Sequence, residues 1–480
     1  MTQQVIEVSD EIAHAAAFGL WERDPQRSAR RVLSRAQGWT LAIALVVFLG
    51  CLALWWRSTV VVTILVLSVV FLLATAFKFW VSMRGARYDL IDRIAPSEIA
   101  ALADDDLPIY TILVPVFREA NIVHQLVENL DGLDYPKDRL EILILVEEED
   151  DETRGAIQAA GMLESFHVVI VPKGQPQTKP RACNAGLAIA KGEYLVIYDA
   201  EDAPEPLQLK KALLAFRRAG DDTLVIQAPL NYFNVGENVL TRMFTLEYSY
   251  WFDYMLTGLE QAALPIPLGG TSNHFRTDAL RRLGGWDPFN VTEDADLGVR
   301  ASVLGGRVGV IDSVTMEEAN TSIPNFIRQR SRWIKGYMQT TLVHARSPLR
   351  LIREIGLRRF LGFALLIAGT PLTFLGVLPF ILVIIITWIV PSNIIASYFP
   401  LPVLLVSLAN FLIGNVLIVH LNMMGPFKRG RFRLVPWAML NPLYWILHSI
   451  AAYKGLWQLI TKPHYWEKTE HGLTQQTHSE

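Results

Sequence analysis

The stretch that decides the fold is Tyr194-Leu195-Val196-Ile197-Tyr198-Asp199-Ala200-Glu201-Asp202. Its first five residues predict a short buried strand, and three carboxylates follow within four positions. Carboxylates this close repel one another and are tolerated most easily around a cation. Hard divalent cations such as Mg²⁺ and Mn²⁺ prefer oxygen ligands and often bridge protein carboxylates to phosphates. The alternative is an acidic, solvated turn before the helix that follows Pro206.

The same alternation of short strand and helix runs through the middle of the chain. Segments rich in apolar and β-branched residues predict strands at 110–117, 141–146, 166–171, 193–198 and 223–227. The segments between them predict helices at 121–130, 153–160, 182–190 and 206–218. This rhythm predicts an α/β domain with a mostly parallel sheet and helices on both faces. Ligands bind beyond the carboxyl ends of such strands, where the polar clusters of this chain fall.

Two further acidic clusters follow the same logic. Thr292-Glu293-Asp294 comes after the turn Gly284-Gly285-Trp286 and before a helical segment. Asp294 is placed to remove a proton from a hydroxyl as a general base, and helix capping by Thr292 and Asp294 is the alternative. The run from Glu147 to Glu152 follows a predicted strand, and by itself it is typical of a solvated loop.

Cationic residues flank these clusters in the sequence. Lys179 and Arg181 precede the helix that contains Asn184, and a cation beside a helix N-terminus suits a diphosphate. The stretch Gln329-Arg330-Ser331-Arg332-Trp333 lies on a basic helix, where residues four apart share a face. Its aromatic, amide and guanidinium groups suit sugars and phosphates. A basic amphipathic helix at a membrane interface is the alternative, and the two are compatible.

Two apolar runs near the N-terminus predict a membrane hairpin. They cover 39–56 and 59–77 and are separated by Arg57, and each approaches the length of about 20 residues that a bilayer requires. Arginines precede the first run and basic residues follow the second, so both flanks are expected on the cytosolic side. A signal peptide is disfavoured because the first run starts far from the N-terminus and a second run follows it.

A second apolar region begins near Phe360 and includes Pro371 and Pro379, which favours a broken or re-entrant helix over 360–390. A clear span covers 401–424, and 434–461 either crosses the bilayer or lies along its surface. A cytosolic tail requires an even number of crossings. The predicted organisation is a cytosolic segment 1–38, a transmembrane hairpin 39–83, a cytosolic domain 96–348 with an interface helix 324–345, membrane or interface helices 349–461, and a cytosolic tail 462–480.

The overall composition restricts the class of protein. Half of the chain is hydrophobic (51%), 19% is charged and the net charge is −3, which gives no reason to expect a nucleic-acid partner. Its cysteines, Cys51 and Cys183, lie in an apolar span and in the polar middle, so a disulfide between them is not expected. A transporter or a membrane scaffold is disfavoured because ionisable residues cluster outside the clear spans.

The order of these signals resembles the processive family 2 glycosyltransferases, which include the cellulose, chitin and hyaluronan synthases. The resemblance covers residues 108–340: a strand with Val114-Pro115-Val116-Phe117-Arg118-Glu119, an acidic loop, Lys179, the cluster 199–202, the cluster 292–294 and the QxxRW stretch 329–333. It implies a GT-A fold flanked by transmembrane helices. It also implies inverting transfer from a nucleotide sugar, usually a UDP-sugar, with Mg²⁺ or Mn²⁺ as the cofactor.

The resemblance also implies roles for individual residues. Asp294 matches the catalytic base of the family's TED motif, with Glu293 beside it. Asp199 and Asp202 match the DxD-type motif, Asp202 as a metal ligand and Asp199 near the metal and the donor. Lys179 and Arg332 lie toward the diphosphate and Trp333 beside the acceptor. The remaining candidates for substrate binding are Glu119, Glu147, Glu148, Asp150, Gly270, Thr271 and Gln329, with Gly269 to Thr271 as an acceptor loop.

Two departures from the family pattern leave roles open. The family's first aspartate normally stands in an Asp-Asp-Gly after the second strand, and here that place reads Glu147-Glu148-Glu149-Asp150-Asp151. Which of these carboxylates contacts the nucleotide is therefore undecided. The DxD spacing is lengthened to Asp199-Ala200-Glu201-Asp202, which leaves the role of Glu201 open.

The expected function is hexose transfer from a nucleotide sugar, and UDP-glucose is the first choice of donor. The acceptor is a growing β-linked polysaccharide at the inner face of the cell membrane. The alternative is a glycolipid synthase that transfers one or a few sugars to a membrane lipid. The expected partners are the donor, a glycan or lipid acceptor and the bilayer, and the sequence identifies no protein partner.

Overall fold

The structure, a computed structural model, describes residues 4–87, 93–160, 165–391, 393, 400–469 and 474. Within these residues the soluble part is built on two β-sheets. Their strands are, in chain order, β1 (Gln4–Glu7), β2 (Tyr110–Val116), β3 (Leu140–Glu147), β4 (Phe166–Val171), β5 (Tyr194–Ile197), β6 (Ala203–Pro204), β7 (Thr223–Gln227), β8 (Leu230–Tyr232), β9 (Asn273–Arg276), β10 (Arg307–Val310) and β11 (Thr315–Glu317).

The larger sheet has eight strands in the order β1-β4-β3-β2-β5-β9-β7-β10. Its neighbouring strands are parallel, except that β9 runs antiparallel to both β5 and β7. The smaller sheet has the order β6-β11-β8. This mostly parallel sheet confirms the predicted fold class, and each of the five predicted strands is present within one residue of its predicted ends.

Helices cover the sheet and extend beyond it. They are α1 (Asp10–Arg23), α2 (Arg35–Arg87), α3 (Pro96–Ala100), α4 (Val123–Asp131), α5 (Asp151–Ala159), α6 (Lys179–Ile189), α7 (Gln208–Arg218), α8 (Val239–Tyr250), α9 (Thr257–Gln261), α10 (Thr277–Leu283), α11 (Glu293–Val303), α12 (Ile323–His344), α13 (Pro348–Phe363), α14 (Gly369–Ile389), α15 (Leu401–Ala409), α16 (Asn415–Lys428) and α17 (Asn441–Thr461). Three π-helical segments, Trp251–Leu256, Ala364–Ala368 and Asn410–Gly414, join consecutive helices, and a 3₁₀ helix covers Phe432–Leu440.

The strand β2 shows why helices are needed on both faces of the sheet. Ile112 and Val114 belong to one hydrophobic core, together with Leu126 of α4 and Leu213 of α7. Leu113 points the other way, into a second core that includes residues of α6. A strand that is buried on both faces has to be apolar throughout, which is the pattern that made β2 and β3 recognisable in the sequence.

The described part of the N-terminal segment, residues 4–38, contributes to the soluble domain instead of standing apart from it. β1 pairs with the edge strand β4, with Val5 opposite Val168. α1 packs against α6, where the Asn184 side-chain amide donates a hydrogen bond to the carbonyl of Ala16 at 3.0 Å. The polar character of this segment predicted neither contact, because a single edge strand of four residues has no distinctive pattern.

Three helical stretches in the described residues are long and apolar enough to cross a membrane: Arg35–Arg87, Pro348–Ile386 and Leu401–Lys428. The first is interrupted at Trp55, whose φ of −136° and ψ of 49° are not helical. Both of its ends reach the soluble domain, since the Gln37 amide donates to the carbonyl of Leu342 and Ser82 bonds to the Tyr250 hydroxyl. A straight helix of 53 residues would be about 80 Å long and would hold its two ends far apart. Because both ends contact the soluble domain, the chain reverses direction at Trp55.

The second stretch runs as one helix where a broken or re-entrant helix was predicted. It leaves helical geometry only at Gly356, before the apolar part, and Pro371 and Pro379 lie within continuous helix. The π-helical segment Ala364–Ala368 lies just ahead of Pro371, and the Thr370 hydroxyl donates to the carbonyl of Leu366. Such π turns and hydroxyl bonds satisfy backbone groups that a proline leaves unpaired.

Two glycines bring the hairpin helix α2 against the soluble domain. A β-carbon at Gly85 would lie 2.2 Å from the carbonyl oxygen of Tyr254, and one at Gly258 would lie 2.0 Å from that of Val81. These distances are too short for any side chain, so the two helices cross backbone to backbone. The close crossing fixes the C-terminal part of α2, which carries Lys78, beside the cavity at the strand ends.

Candidate active site

One continuous cavity of about 790 Å³ extends from the carboxyl ends of β2, β3 and β5 to the apolar helices. Eleven of the fourteen predicted site residues line it, and three do not: Glu148, Asp150 and Asp202. The eleven that line it are Glu119, Glu147, Lys179, Asp199, Gly270, Thr271, Glu293, Asp294, Gln329, Arg332 and Trp333.

Lys179 connects three parts of the site. It stands at the first position of α6, and its ammonium donates to Asp199 Oδ1 at 2.5 Å and to the carbonyl of Gly270 at 2.7 Å. Burial lowers the pKa of Lys179, but the nearby negative charges, those of Asp199, Asp294 and Glu293 foremost, together raise it by more, so the net pKa is raised and the ammonium stays charged. The lysine is therefore a fixed positive charge at the end of β5.

The cluster after β5 is arranged differently from the prediction. Asp202 was predicted to be a metal ligand, but its side chain is 1% exposed and does not line the cavity. Its Oδ2 accepts hydrogen bonds from the Asp199 backbone amide, at 2.7 Å, and from the Thr271 hydroxyl. The turn after β5 folds Asp202 back under the loop, and Glu201 lies in the cavity wall beside Asp199.

Asp294 and Glu293 occupy the first turn of α11, and both are buried. The Trp286 indole donates to Asp294 Oδ1 at 3.1 Å, and a β-carbon at Gly270 would lie 3.9 Å from Asp294 Oδ2. Burial raises the pKa of Asp294 well above its ordinary value, and the charge of Glu293 raises it further. Lys179 and the Trp286 hydrogen bond act in the opposite direction. A carboxylate with a raised pKa is suited to accept a proton.

The helix α12 presents the QxxRW residues to the same cavity. Gln329 Oε1 accepts a hydrogen bond from Asn320 at 2.9 Å, and the Trp333 ring lies 6.4 Å from that of Tyr248. A β-carbon at Gly336 would lie 2.2 Å from the Thr292 hydroxyl, so α12 packs directly on the turn that carries Asp294. Among the described residues, Arg332 Nε is buried without a hydrogen-bond partner.

Only one predicted carboxylate of the acidic run after β3 faces the cavity. Glu147 lies there, 3.3 Å from Arg181, and burial raises the pKa of Glu147 to about 7 against the charge of Arg181. Glu148 accepts a hydrogen bond from the backbone of Lys173, outside the cavity. Asp150 is the N-cap of α5 and also accepts from the Arg118 amide, so it shapes the loop. The chain turns into α5 directly after β3, which removes these two from the site.

The C-terminal tail lies across the cavity, a feature that the sequence did not reveal. Trp466 stacks 4.6 Å from the Arg332 guanidinium, and Lys468 forms an ion pair with Glu119 at 3.3 Å. Glu467 accepts hydrogen bonds from Lys454 and Gln458 of α17. The only signal in the sequence was an unusual concentration of aromatic and charged residues in an otherwise polar tail.

Other cavity residues also escaped the sequence reasoning. Glu317 ends β11, and burial raises its pKa well above the ordinary value, with Asp202 and Glu201 raising it further. Lys78 of α2 and Glu247 of α8 line the cavity from the membrane side. None of these residues stands in a recognisable motif, and the fold alone brings them to the site.

The carboxylate oxygens at the end of β5 fit a divalent cation whose coordination is completed by a bound substrate. Asp199 and Glu201 offer oxygen atoms to the cavity, and burial with neighbouring carboxylates raises the pKa of Asp202, Glu293 and Asp294. This crowding leaves the site in need of positive charge. In the part of the chain that the structure describes, no three acidic, histidine or cysteine side chains converge closely enough to hold a metal. Substrate phosphates would have to supply the remaining oxygen ligands.

Comparison with solved structures identifies the class of fold. A mannosyltransferase from Pyrobaculum calidifontis, solved with GDP-Man and Mn²⁺, superposes with a TM-score of 0.52 over 82% of this chain and 99% of its own, at 18% identity. At that identity the likeness concerns the fold alone, a mostly parallel α/β sheet of the GT-A type.

Comparison with protein families identifies the chain more closely. Residues 194–451 match the family described as "Glycosyl transferase family group 2", and the chain belongs to that family. Similar proteins include a probable glycosyltransferase of Bacillus subtilis, YdaM, with 26% identity over 52% of this chain and 60% of its own length. A glucomannan 4-beta-mannosyltransferase of Oryza sativa is 26% identical over 50% of this chain and 48% of its own length. The chain thus spans about half the length of the plant relative.

Proposed function

We propose that this protein transfers a hexose from a nucleotide sugar to a hydroxyl group, with inversion at the anomeric carbon. The observation that carries the proposal is the convergence of Lys179, Asp199 and Asp294 on one cavity. Lys179 binds both Asp199 and the carbonyl of Gly270, and Asp294 lies next to Gly270. A buried base and a fixed cation at one strand end are the two groups that such a displacement requires.

The proposed step is a single in-line displacement. Asp294 accepts the proton of the acceptor hydroxyl, whose oxygen forms a bond to the anomeric carbon. The bond from that carbon to the diphosphate breaks, and the nucleoside diphosphate leaves with the electron pair. Lys179 and Arg332 stabilise the charge that develops on the diphosphate, and because they are already in place this costs little reorganisation.

We assign the divalent cation, Mg²⁺ or Mn²⁺, to Asp199 and Glu201. A bound divalent ion supplies Lewis-acid stabilisation of the leaving diphosphate. The assignment is supported by the position of both carboxylates in the cavity wall and by the oxygen-only chemistry of the set. The Mn²⁺ bound to the structural neighbour from Pyrobaculum calidifontis is in agreement with it.

For the donor, the resemblance to the processive synthases makes UDP-glucose the first choice, and GDP-mannose is the alternative. The names of the plant relatives and of the structural neighbour refer to mannosyl transfer, which is the reason for including GDP-mannose. Glu119 and Glu147 line the end of the cavity beside β2 and β3, where we place the nucleoside. In that position Glu147 is the carboxylate of the acidic run that contacts the nucleotide.

We propose that the transfer takes place at the cytosolic face of the cell membrane. The cavity continues between the apolar helices, so the acceptor enters from the membrane side. A growing polysaccharide and a membrane lipid are the two acceptor classes that this route allows. The net positive charge in the membrane-side part of the cavity favours a lipid with an anionic headgroup.

The test is transfer by the purified protein in nanodiscs, supplied separately with labelled UDP-glucose and GDP-mannose. Product is separated into lipid-soluble, polymeric and free sugar fractions. We expect one donor to be used, activity to disappear in excess chelator, and Asp294→Asn to lower kcat by about 10²- to 10⁴-fold while donor binding is retained. Full activity of Asp294→Asn would show that Asp294 is not the catalytic base. Full activity in excess chelator would show that the reaction needs no metal.

A further inference from the structure

The cavity has a second compartment on its membrane side, which we call the membrane chamber. It is walled by α2, α8, α14, α16 and α17, so each of the candidate membrane-spanning stretches contributes to it. Its walls combine apolar and aromatic side chains with a few polar ones. The residues that define it here are Lys78, Glu247, Phe374, Asn422, Tyr444 and His448.

Charges in the membrane chamber do not cancel. Glu247 is fully engaged by Arg330, whose guanidinium donates to both carboxylate oxygens at 2.8 and 2.7 Å, and the Tyr444 hydroxyl adds a third bond at 3.0 Å. That pair is neutral as a unit. Lys78 also lines the chamber, and among the described residues it forms no ion pair with a carboxylate. The charge of Glu247 also acts on Lys78, so Lys78 and Arg330 share one carboxylate and these three side chains carry one net positive charge.

A net positive charge in an apolar, membrane-side cavity is costly unless a ligand supplies the missing negative charge. A neutral glycan supplies none, whereas a lipid phosphate supplies it at the depth of a headgroup. Asp294 at the inner end of the same cavity fits a hydroxyl acceptor, because a phosphate oxygen is already largely deprotonated at neutral pH and needs no base. The acceptor must therefore carry both a hydroxyl and an anionic group.

We propose that the acceptor is a membrane lipid whose sugar or polyol headgroup is attached through a phosphate, and that Lys78 binds this phosphate. The headgroup then reaches inward so that its hydroxyl meets Asp294, and the hydrocarbon chains leave between α14 and α16 into the bilayer. This inference rests on the proposed function and specifies its acceptor. Lys78 acts in acceptor binding and takes no part in proton or phosphoryl chemistry.

The first experiment measures acceptor use with two lipids that differ in charge. Phosphatidylglycerol offers a polyol hydroxyl on a phosphate, and glucosyl-diacylglycerol offers sugar hydroxyls without charge. With wild-type protein we expect a preference for the anionic lipid. Lys78→Met should raise the KM for that lipid roughly tenfold or more, the usual size of a lost charge-assisted hydrogen bond. It should leave kcat, the donor KM and the use of the neutral lipid nearly unchanged, and Lys78→Arg should restore most of the preference.

The matched control is Arg84→Met, which removes a cation of the same helix. Arg84 lies 5.4 Å over the Trp80 ring and does not line the cavity, so this variant should behave as wild type. A preference for the neutral lipid, or an unchanged KM in Lys78→Met, would overturn the proposal. An equal loss in Arg84→Met would show a general surface-charge effect and would overturn it too.

A second measurement separates this proposal from the proposed function. Native mass spectrometry of the detergent-solubilised protein counts retained phosphatidylglycerol and glucosyl-diacylglycerol without any turnover. We expect selective retention of the anionic lipid by wild type and its loss in Lys78→Met. If no donor supports transfer but retention follows Lys78, the proposed function fails and the lipid site stands. If transfer occurs but lipid retention does not depend on Lys78, the proposed function stands and the lipid site is wrong.

Discussion

Asp294 is surrounded by groups that change its proton affinity in opposite directions. Burial raises the pKa of Asp294, the charge of Glu293 raises it further, and the Trp286 hydrogen bond lowers it. A general base works only when it is deprotonated, so activity should increase as the pH rises through the pKa of Asp294. The acid limb of the pH profile is therefore expected at a higher pH than for an ordinary aspartate.

Two substitutions should move this acid limb in opposite directions. Glu293→Gln removes a negative neighbour, which lowers the pKa of Asp294 and moves the half-maximal point to lower pH. Trp286→Phe removes a hydrogen bond to the charged form, which raises that pKa and moves the point to higher pH. The measurement is kcat/KM against pH at saturating metal. Shifts of the same sign in both variants would contradict the assignment of the limb to Asp294.

The neighbouring carboxylates Glu201 and Asp202 should respond differently to loss of charge. Glu201→Gln removes the negative charge and one carboxylate oxygen of a residue that we assign to the metal, so the Mn²⁺ concentration for half-maximal activity should rise about 10-fold or more. The melting temperature should stay near that of wild type. Asp202→Asn instead disturbs the hydrogen bonds to the Asp199 amide and Thr271 hydroxyl, so it should mainly lower the melting temperature. The opposite pattern would return the metal-ligand role to Asp202.

This difference shows the limit of sequence reasoning at single residues. The stretch after β5 predicted that carboxylates gather at the strand end, and the structure places Asp199 and Glu201 in the cavity wall. The sequence could not predict which carboxylate turns inward, because that depends on the Thr271 hydroxyl and the Asp199 amide that hold Asp202. Both partners are set by the turn geometry and by β9, which has no sequence signal of its own.

Among the elements, the tail segment 463–469 makes contacts that should matter for donor binding. Trp466 stacks on Arg332, and Lys468 pairs with Glu119. Trp466→Leu and Lys468→Met should each raise the donor KM several-fold, since each loosens a residue of the cavity wall, and should change kcat less. Steady-state kinetics with a fixed acceptor measures this. Lys462→Met is the control, because Lys462 does not line the cavity and its ammonium only approaches the ring of the lining residue Tyr465, at 5.9 Å, so its loss should change the donor KM less.

An unchanged donor KM in both tail variants would mean that the segment only packs against the domain. In that case a loss of melting temperature without a kinetic change is the expected result. The two outcomes are distinguishable because Glu467 still binds Lys454 and Gln458 of α17 in both variants, so the tail stays attached to the domain. A kinetic change then reports on the contact that was removed.

Elements differed in how well their sequences predicted them. β2 and β3 are continuous apolar runs, and α12 was predicted one residue away from its observed ends. The strand β9 reads Asn-His-Phe-Arg, and its polar residues pack inside, with His274 bonded to the Tyr110 hydroxyl at 2.7 Å. Burial lowers the pKa of His274 to about 3, so it is neutral at neutral pH. Buried polar side chains such as His274 have no apolar pattern that a sequence could display.

The whole molecule places three separate parts of the chain on one side of the apolar helices. The N-terminal segment pairs with the sheet through β1, the central domain carries the site, and the tail lies across that site. These parts are separated by the hairpin helix α2 and by the stretches that end at Ile389 and Lys428. If each stretch crosses a bilayer, the hairpin crosses twice and the other two cross once each. Four crossings return every soluble part to the same face.

This arrangement predicts that the hairpin turn near Trp55 lies on the opposite face from the soluble domain. In a Cys51→Ala background, Ser58→Cys should react with a membrane-impermeant maleimide on intact cells, because it lies beside the turn. Ser97→Cys, exposed on α3 of the soluble domain, should react only after permeabilisation. The remaining native cysteine, Cys183, is fully buried and should stay unlabelled in the folded protein. Labelling of Ser97→Cys in intact cells, or equal protection of both positions, would contradict a hairpin that spans the bilayer with a cytosolic active site.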